Sequence, residues 1–157
     1  MLIVGRYLWQ NQEKENLMPK QSFTVKIPEG LNPAQRDDFI DEVIDYIKGR
    51  TKEGTGVKKT GRGFSLVSFP AYSKEYGKKG TVDLTVDGDM LDSIEAFNKK
   101  RTSAEIGYKS NNPQAGKAEG NITGSYGKSP NKKKARNFLG LNAQEIKALE
   151  DFVKGKQ

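Results

Sequence analysis

Asn32-Pro33-Ala34-Gln35-Arg36-Asp37-Asp38-Phe39-Ile40-Asp41-Glu42-Val43-Ile44-Asp45-Tyr46-Ile47-Lys48-Gly49 reads as one amphipathic helix. Asn32 is suited to cap it, Pro33 fits its first position, and Gln35 completes a capping box. Phe39, Ile40, Val43, Ile44 and Ile47 recur at spacings of three and four, which puts them on one face. Asp37, Asp38, Asp41, Glu42 and Asp45 occupy the other faces, the earlier ones near the positive end of the helix dipole. Lys48 and Gly49 supply the stop signal. A helix with one apolar stripe must cover it with another element.

On the N-terminal side, Ser22-Phe23-Thr24-Val25-Lys26-Ile27-Pro28 alternates apolar and polar residues, predicting a half-buried strand that Pro28 ends. Before it, the apolar run from Leu2 to Trp9 suggests a strand or an anchoring arm, and residues 1–21 are assigned to that arm. On the C-terminal side, Arg50 to Gly63 mixes Gly54, Gly56, Gly61 and Gly63 with Lys52, Lys58, Lys59 and Arg62, which predicts a long basic loop. Phe64–Phe69 suggests a short strand, and Tyr72 and Tyr76 lie one helical turn apart. Thr81–Val86 alternates as a strand does, and Asp87-Gly88-Asp89 signals a turn. Met90–Phe97 fits a helix or a strand equally well, and Thr102–Lys109 alternates as a strand. Residues 110–135 are rich in Gly, Asn, Ser and Lys and predict a second long basic loop, ordered only on binding. Phe138, Leu139 and Leu141 are expected to anchor the last helix to the core. Asn142 caps that helix, Glu145 is the box partner, and Ile146, Leu149, Phe152 and Val153 form its stripe. The whole is a single α+β domain over 1–157: a small, mostly antiparallel sheet, packed by the first and last helices.

Composition narrows the chemistry. The 157 residues contain no Cys and no His, which removes disulfides, thiolate metal sites, Ser-His-Asp triads and Cys-His pairs. No apolar run reaches the ~20 residues of a membrane-spanning helix. The start, Met1 to Tyr7, lacks the basic and long apolar regions of a signal peptide. Gly127-Lys128-Ser129 looks like the end of a phosphate-binding loop, but the glycine needed five residues earlier is Ile122. Asp83, Asp87, Asp89, Asp92 and Glu95 cluster without the spacing of a calcium-binding loop and read as a turn flanked by solvated acids. No catalytic residue, metal or cofactor is expected.

Charge is the strongest remaining signal. Lys and Arg total 27 against 20 Asp and Glu, a net charge of +7. The basic residues concentrate in two regions, Arg50–Gly80 and Lys99–Arg136. Candidate contact residues are Arg50, Lys52, Lys58, Lys59, Arg62, Lys117, Lys128, Lys132, Lys133, Lys134 and Arg136. Asp37, Asp38, Asp41, Asp45, Asp87 and Asp89 are candidate acidic partners. Two readings follow: acidic and basic patches pair between identical subunits in a head-to-tail ring, or basic loops track phosphates without reading sequence.

With Asp87-Gly88-Asp89-Met90-Leu91-Asp92-Ser93-Ile94 in its middle, the chain resembles the virion morphogenesis and tail-completion proteins of tailed bacteriophages. The shared order is an amphipathic helix (Asn32–Lys48), a glycine (Gly54), a Pro/Tyr/Ser stretch (Phe69-Pro70-Ala71-Tyr72-Ser73-Lys74-Glu75-Tyr76), a Thr-Gly-x-Leu/Met-x-x-Ser-Ile turn, here with Met90 before Ser93-Ile94, and a strand (Ala104–Tyr108). A basic loop then leads to Arg136-Asn137-Phe138-Leu139-Gly140-Leu141 before the last helix. The likeness runs from Pro33 to Val153; Asp87 departs from the family's usual Thr and Asn137 from its frequent Pro. It implies a structural, non-enzymatic head–tail joining protein forming a ring at the neck or the top of the tail. Its partners would be other copies of itself and neighbouring neck or tail proteins, with non-specific DNA contact in the channel and none with membrane. It would reside in the virion, and in the host cytoplasm during assembly. The alternatives are a non-specific nucleic-acid-binding protein or a hydrolase using the acids of Asp83–Glu95.

Overall fold

Two small antiparallel sheets and four α-helices make up the described part of the chain, which in this computed structural model comprises residues 20–70, 89–125 and 132–155. Strand β1 (Gln21–Lys26) leads to helix α1 (Pro33–Lys52), followed by a hairpin of β2 (Thr55–Thr60) and β3 (Gly63–Ser68). Then come a one-turn helix α2 (Asp89–Asp92), β4 (Glu95–Phe97), β5 (Ser103–Tyr108), α3 (Ala115–Thr123), a 3-10 turn (Lys132–Lys134) and α4 (Ala143–Gly155). The three-stranded sheet runs β1-β5-β4, with β5 central and both pairings antiparallel. Residues 1–19, the Tyr72–Tyr76 stretch, the Thr81–Val86 strand and Asp87-Gly88 lie outside the described residues.

Helix α1 begins as the sequence predicts. The Asn32 side chain accepts from the Gln35 N–H at 2.8 Å, and the Asn32 N–H donates to the Gln35 side chain at 2.9 Å. It does not stop at Gly49. It continues to Lys52, caps at Glu53, and turns at Gly54, whose φ of +87° is the left-handed geometry glycine takes readily. The extra turn is held by its own packing: Thr51 is fully buried, and its hydroxyl donates to the Ile47 carbonyl at 2.6 Å.

The expected loop over Arg50–Gly63 is therefore corrected: it is the end of α1, strand β2 and a tight turn. Thr55-Gly56-Val57-Lys58-Lys59-Thr60 has poor strand propensity because of its glycine and two lysines. Pairing overrides propensity here. The whole of β2 lies in register with β3, and the Val57 N–H donates to the Asn137 carbonyl on its other side at 2.8 Å. Gly56 permits that approach, since a Cβ there would fall on the Asn137 oxygen and the Phe69 ring. The loop over 110–135 is corrected in part: residues 115–123 form α3 and 132–134 a 3-10 turn, while residues 126–131 lie outside the description. Helix α3 contains two glycines and shows no apolar stripe in sequence. Only alanines, Ala115 and Ala118, are buried on it, so it packs by close approach rather than by bulk. Met90–Phe97 resolves into both alternatives, a single helical turn and then a strand.

One apolar cluster joins these elements. Phe39, Val43 and Ile47 of α1, Val25 of β1, Ile106 and Tyr108 of β5, and Leu149 and Val153 of α4 all enter it. Ile44 and Ile146 are only partly buried, and Phe152 is 52% exposed rather than part of the stripe. The buried line on α4 runs Glu145, Leu149, Val153, a four-residue spacing that leaves Phe152 on the flank. Phe138, Leu139 and Leu141 are buried as anchors. The Phe138 ring meets the edge of Tyr108 at 6.2 Å between centroids. The Tyr108 hydroxyl donates to the Met90 carbonyl, and burial pushes its pKa up.

Phe138 is fully buried at the junction of β5 and the segment entering α4. Phe138→Ala should destabilise the protein by about 3–5 kcal/mol, the usual range for emptying such a site, read as a lower urea midpoint. An unchanged midpoint would place this ring outside the core.

Candidate interaction surface

The candidate basic residues divide into two physical kinds. Arg50 and Arg136 are 6% and 4% exposed, so neither can present its charge to DNA or to a neighbour. Arg50 Nη1 donates to both Glu145 carboxylate oxygens at 3.0 Å, and Nη2 donates to the Phe138 carbonyl at 2.8 Å. Its guanidinium carbon lies 5.9 Å from the Tyr46 ring centroid. The Tyr46 hydroxyl is pushed up to about 12, first by burial and then by its hydrogen bond to Glu145. Arg136 Nε donates to the Pro70 carbonyl at 3.0 Å, and its backbone N–H donates to the Asn121 carbonyl at 2.6 Å. Both arginines hold the fold together, correcting their assignment to a contact surface. Lys117, Lys133 and Lys134 are each engaged by other groups. Lys128 lies outside the described residues, and so does the Lys132 side chain.

Four candidates remain on the surface. Lys52, Lys58, Lys59 and Arg62 are exposed, and no ion pair engages them among the described residues. Lys58 and Lys59 stand on the outer half of β2, and Arg62 sits in the turn. The hairpin thus ends in a basic tip.

A second basic cluster escaped the residue-level reading, although the regional charge count included most of it. Lys99, Lys100 and Arg101 form the turn between β4 and β5, which Asn98 starts at a φ of +47°. Together with Arg36 they line an open groove of about 510 Å3, whose floor is Ile27, Leu31 and Ile40 and whose one acid is Asp37. The signal was the Lys-Lys-Arg triplet itself; its meeting with Arg36 is a tertiary fact. Beside this turn, Glu105 accepts from Lys20 and from Asn98, and the Lys20 contact above all holds its carboxyl below the ordinary range.

The acidic candidates stay on one element. Asp37, Asp38, Asp41 and Asp45 of α1 are all exposed, with no ion pair among the described residues. Asp37, Asp41 and Asp45 form a column at four-residue spacing, where each like-charged pair is unfavourable by about 0.2–0.5 kcal/mol. Asp89 is exposed and engaged elsewhere, and Asp87 is outside the description. Asp92 and Glu95 face Lys48 and Lys109 at 3.9 and 3.3 Å. Among the described residues, no group of three or more Asp or Glu is placed to hold a metal ion. None of the described helices is long and apolar enough to cross a membrane.

The acidic column and the basic tip stand on different elements, the helix α1 and the hairpin that follows it. From Asp41 to Lys52, where the chain turns into β2, α1 advances about 16 Å at ~1.5 Å per residue. No family model, no curated protein and no solved structure matches this chain.

This division of the arginines predicts their reactivity. Native protein treated with phenylglyoxal should be modified at Arg62 and Arg101, while Arg50 and Arg136 react only after unfolding; peptide mass spectrometry gives the order. Equal rates at all four would contradict the buried placement.

Proposed function

We propose that this chain is a structural, non-enzymatic subunit of a tailed-phage neck or tail-completion assembly. In this reading it forms a ring at the head–tail junction or the top of the tail, and its neighbours are further copies of itself and adjacent neck or tail proteins. The observation that carries the reading is charge of both signs held on ordered elements without ion pairs among the described residues: an acidic column on α1 and a basic tip on the β2–β3 hairpin. A surface that carries the two signs on different elements favours head-to-tail contact between copies. The unfavourable spacing of Asp37, Asp41 and Asp45 is relieved when a neighbour's cations lie against it. The order of motifs from Pro33 to Val153 adds the virion setting, and the absence of His and Cys supports a non-catalytic role.

A second reading rests on the same tip. Among the described residues Lys58, Lys59 and Arg62 carry no acidic counterpart, and phosphate contacts of that kind need no base recognition. In a ring around DNA the two readings coexist; for an isolated nucleic-acid-binding protein only the second applies.

Light scattering on the full chain, across protein concentration and salt, tests the ring. The expected result is a mass several times the 17.5 kDa of one chain at low salt, falling as salt rises. Asp41→Lys with Asp45→Lys should abolish association, and mixing with a Lys58→Glu, Lys59→Glu, Arg62→Glu chain should restore it. A monomer under every condition, with DNA affinity falling log-linearly with salt, would replace the ring by the second reading.

A further inference from the structure

Among the described residues, one edge of strand β3 is unpaired, and the backbone register shows which groups it offers. The Val57 N–H points away from β3, because it donates to Asn137. In an antiparallel ladder, facing residues share their direction and successive residues alternate. Val57 faces Leu66, so Leu66 also turns its N–H and C=O away from β2, and Phe64 and Ser68 do the same. The bond from the Phe69 N–H to the Gly54 carbonyl, at 2.9 Å, agrees with this alternation. Among the described residues nothing accepts from or donates to the outward backbone groups of Phe64, Leu66 and Ser68.

Unpaired edges are normally guarded by charge, proline or a covering element. The outer edge of β1 is guarded: by the same alternation, from the Ile27 N–H bond to Thr102, its outward positions are Ser22, Thr24 and Lys26. Among the described residues, the edge of β3 is not. Gly63-Phe64-Ser65-Leu66-Val67-Ser68 has no charge and no proline, and Leu66 is 46% exposed. A neutral, six-residue edge with an exposed leucine suits strand addition, in which main-chain bonds give affinity and alternate side chains give fit.

We infer that β3 accepts a strand donated by residues 2–9 of a second copy of this chain. The donor, Leu2-Ile3-Val4-Gly5-Arg6-Tyr7-Leu8-Trp9, has β-branched and aromatic residues, a single charge and no proline, which makes it the chain's own match for a neutral edge. Ten residues, 10–19, separate it from Lys20, enough for about 33 Å of extended chain and hence for reach to a neighbour. Donation from one copy to the next is heterologous contact, which builds a ring where the rotation between copies closes. The inference rests on the self-assembly reading only in taking the donor from another copy.

The natural absence of cysteine makes the test clean. Full-length chains with Leu66→Cys, combined in turn with Ile3→Cys, Val4→Cys or Tyr7→Cys, are oxidised and run without reductant. A ladder of linked dimers and higher species for at least one pair is the expected result. Linked monomer alone would mean that the arm covers its own β3, and no product from any pair would exclude donation; either result overturns the inference. Leu66→Pro provides the second arm, since its N–H makes no bond to β2 and proline is tolerated there while blocking a new strand. It should lower the assembled mass at least several-fold with the circular dichroism unchanged. Full assembly of Leu66→Pro would overturn strand donation while leaving the charge-driven ring intact; a wild-type chain that never associates would overturn both.

Discussion

The ion pair between Arg50 and Glu145 joins three parts of the chain that are far apart in sequence. Arg50 belongs to the last turn of α1, Glu145 to the first turn of α4, and the carbonyl that takes the second guanidinium nitrogen belongs to Phe138. Glu145 does two jobs at once. Its Oε1 accepts from the Asn142 N–H at 2.9 Å as the capping-box partner, and both its oxygens accept from Arg50. Both charges are almost wholly buried, so the pair is stable only while both members are present. The chain from Asn137 to Asn142 is fixed by this contact on one side and by the bond to Val57 on the other. That segment in turn meets β2 through the Asn137 carbonyl, so it packs against the hairpin that carries the exposed cations.

What the sequence made legible, and what it did not, follows from where each signal resides. Local signals read true: the Asn32 and Asn142 boxes, the stripe from Phe39 to Ile47, and the alternation of β1 and β5. Phe138, Leu139 and Leu141 were legible because three large apolar residues so close to a capped helix have few places to go but the core. The failures share a cause. Strand β2 and helix α3 are poor by propensity and exist through tertiary pairing, with Gly56 and Ala118 allowing backbone to approach closely. Arg50 and Arg136 read as surface charge in the sequence because nothing local distinguishes a buried arginine from an exposed one. Their partners, Glu145, Phe138 and Pro70, lie 66 to 95 residues away.

Removing those two arginines from the surface sharpens the functional argument. Among the described residues, Lys58, Lys59 and Arg62 ride on an ordered hairpin, and Lys99, Lys100 and Arg101 on a second tight turn. Ordered cations are better suited to fixed contacts between subunits than to refitting loops, since less entropy is lost on binding. The hairpin also combines a basic tip with a neutral open edge. Two sorts of contact, electrostatic and main-chain, therefore meet on one small element, and both point outward from the core that Arg50 and Glu145 secure.

A double-mutant cycle at Arg50 and Glu145, read by urea denaturation, tests the central claim most directly. Glu145→Gln keeps a side chain able to serve the capping box, and Arg50→Met keeps much of the volume. Arg50→Met alone leaves a buried carboxylate without its cation and is expected to destabilise by about 3–5 kcal/mol. Adding Glu145→Gln should recover a substantial part of that loss, with a coupling above about 1 kcal/mol. Strictly additive effects, or an Arg50→Met chain as stable as the original, would contradict the claim that this pair holds α1, α4 and the hairpin in place.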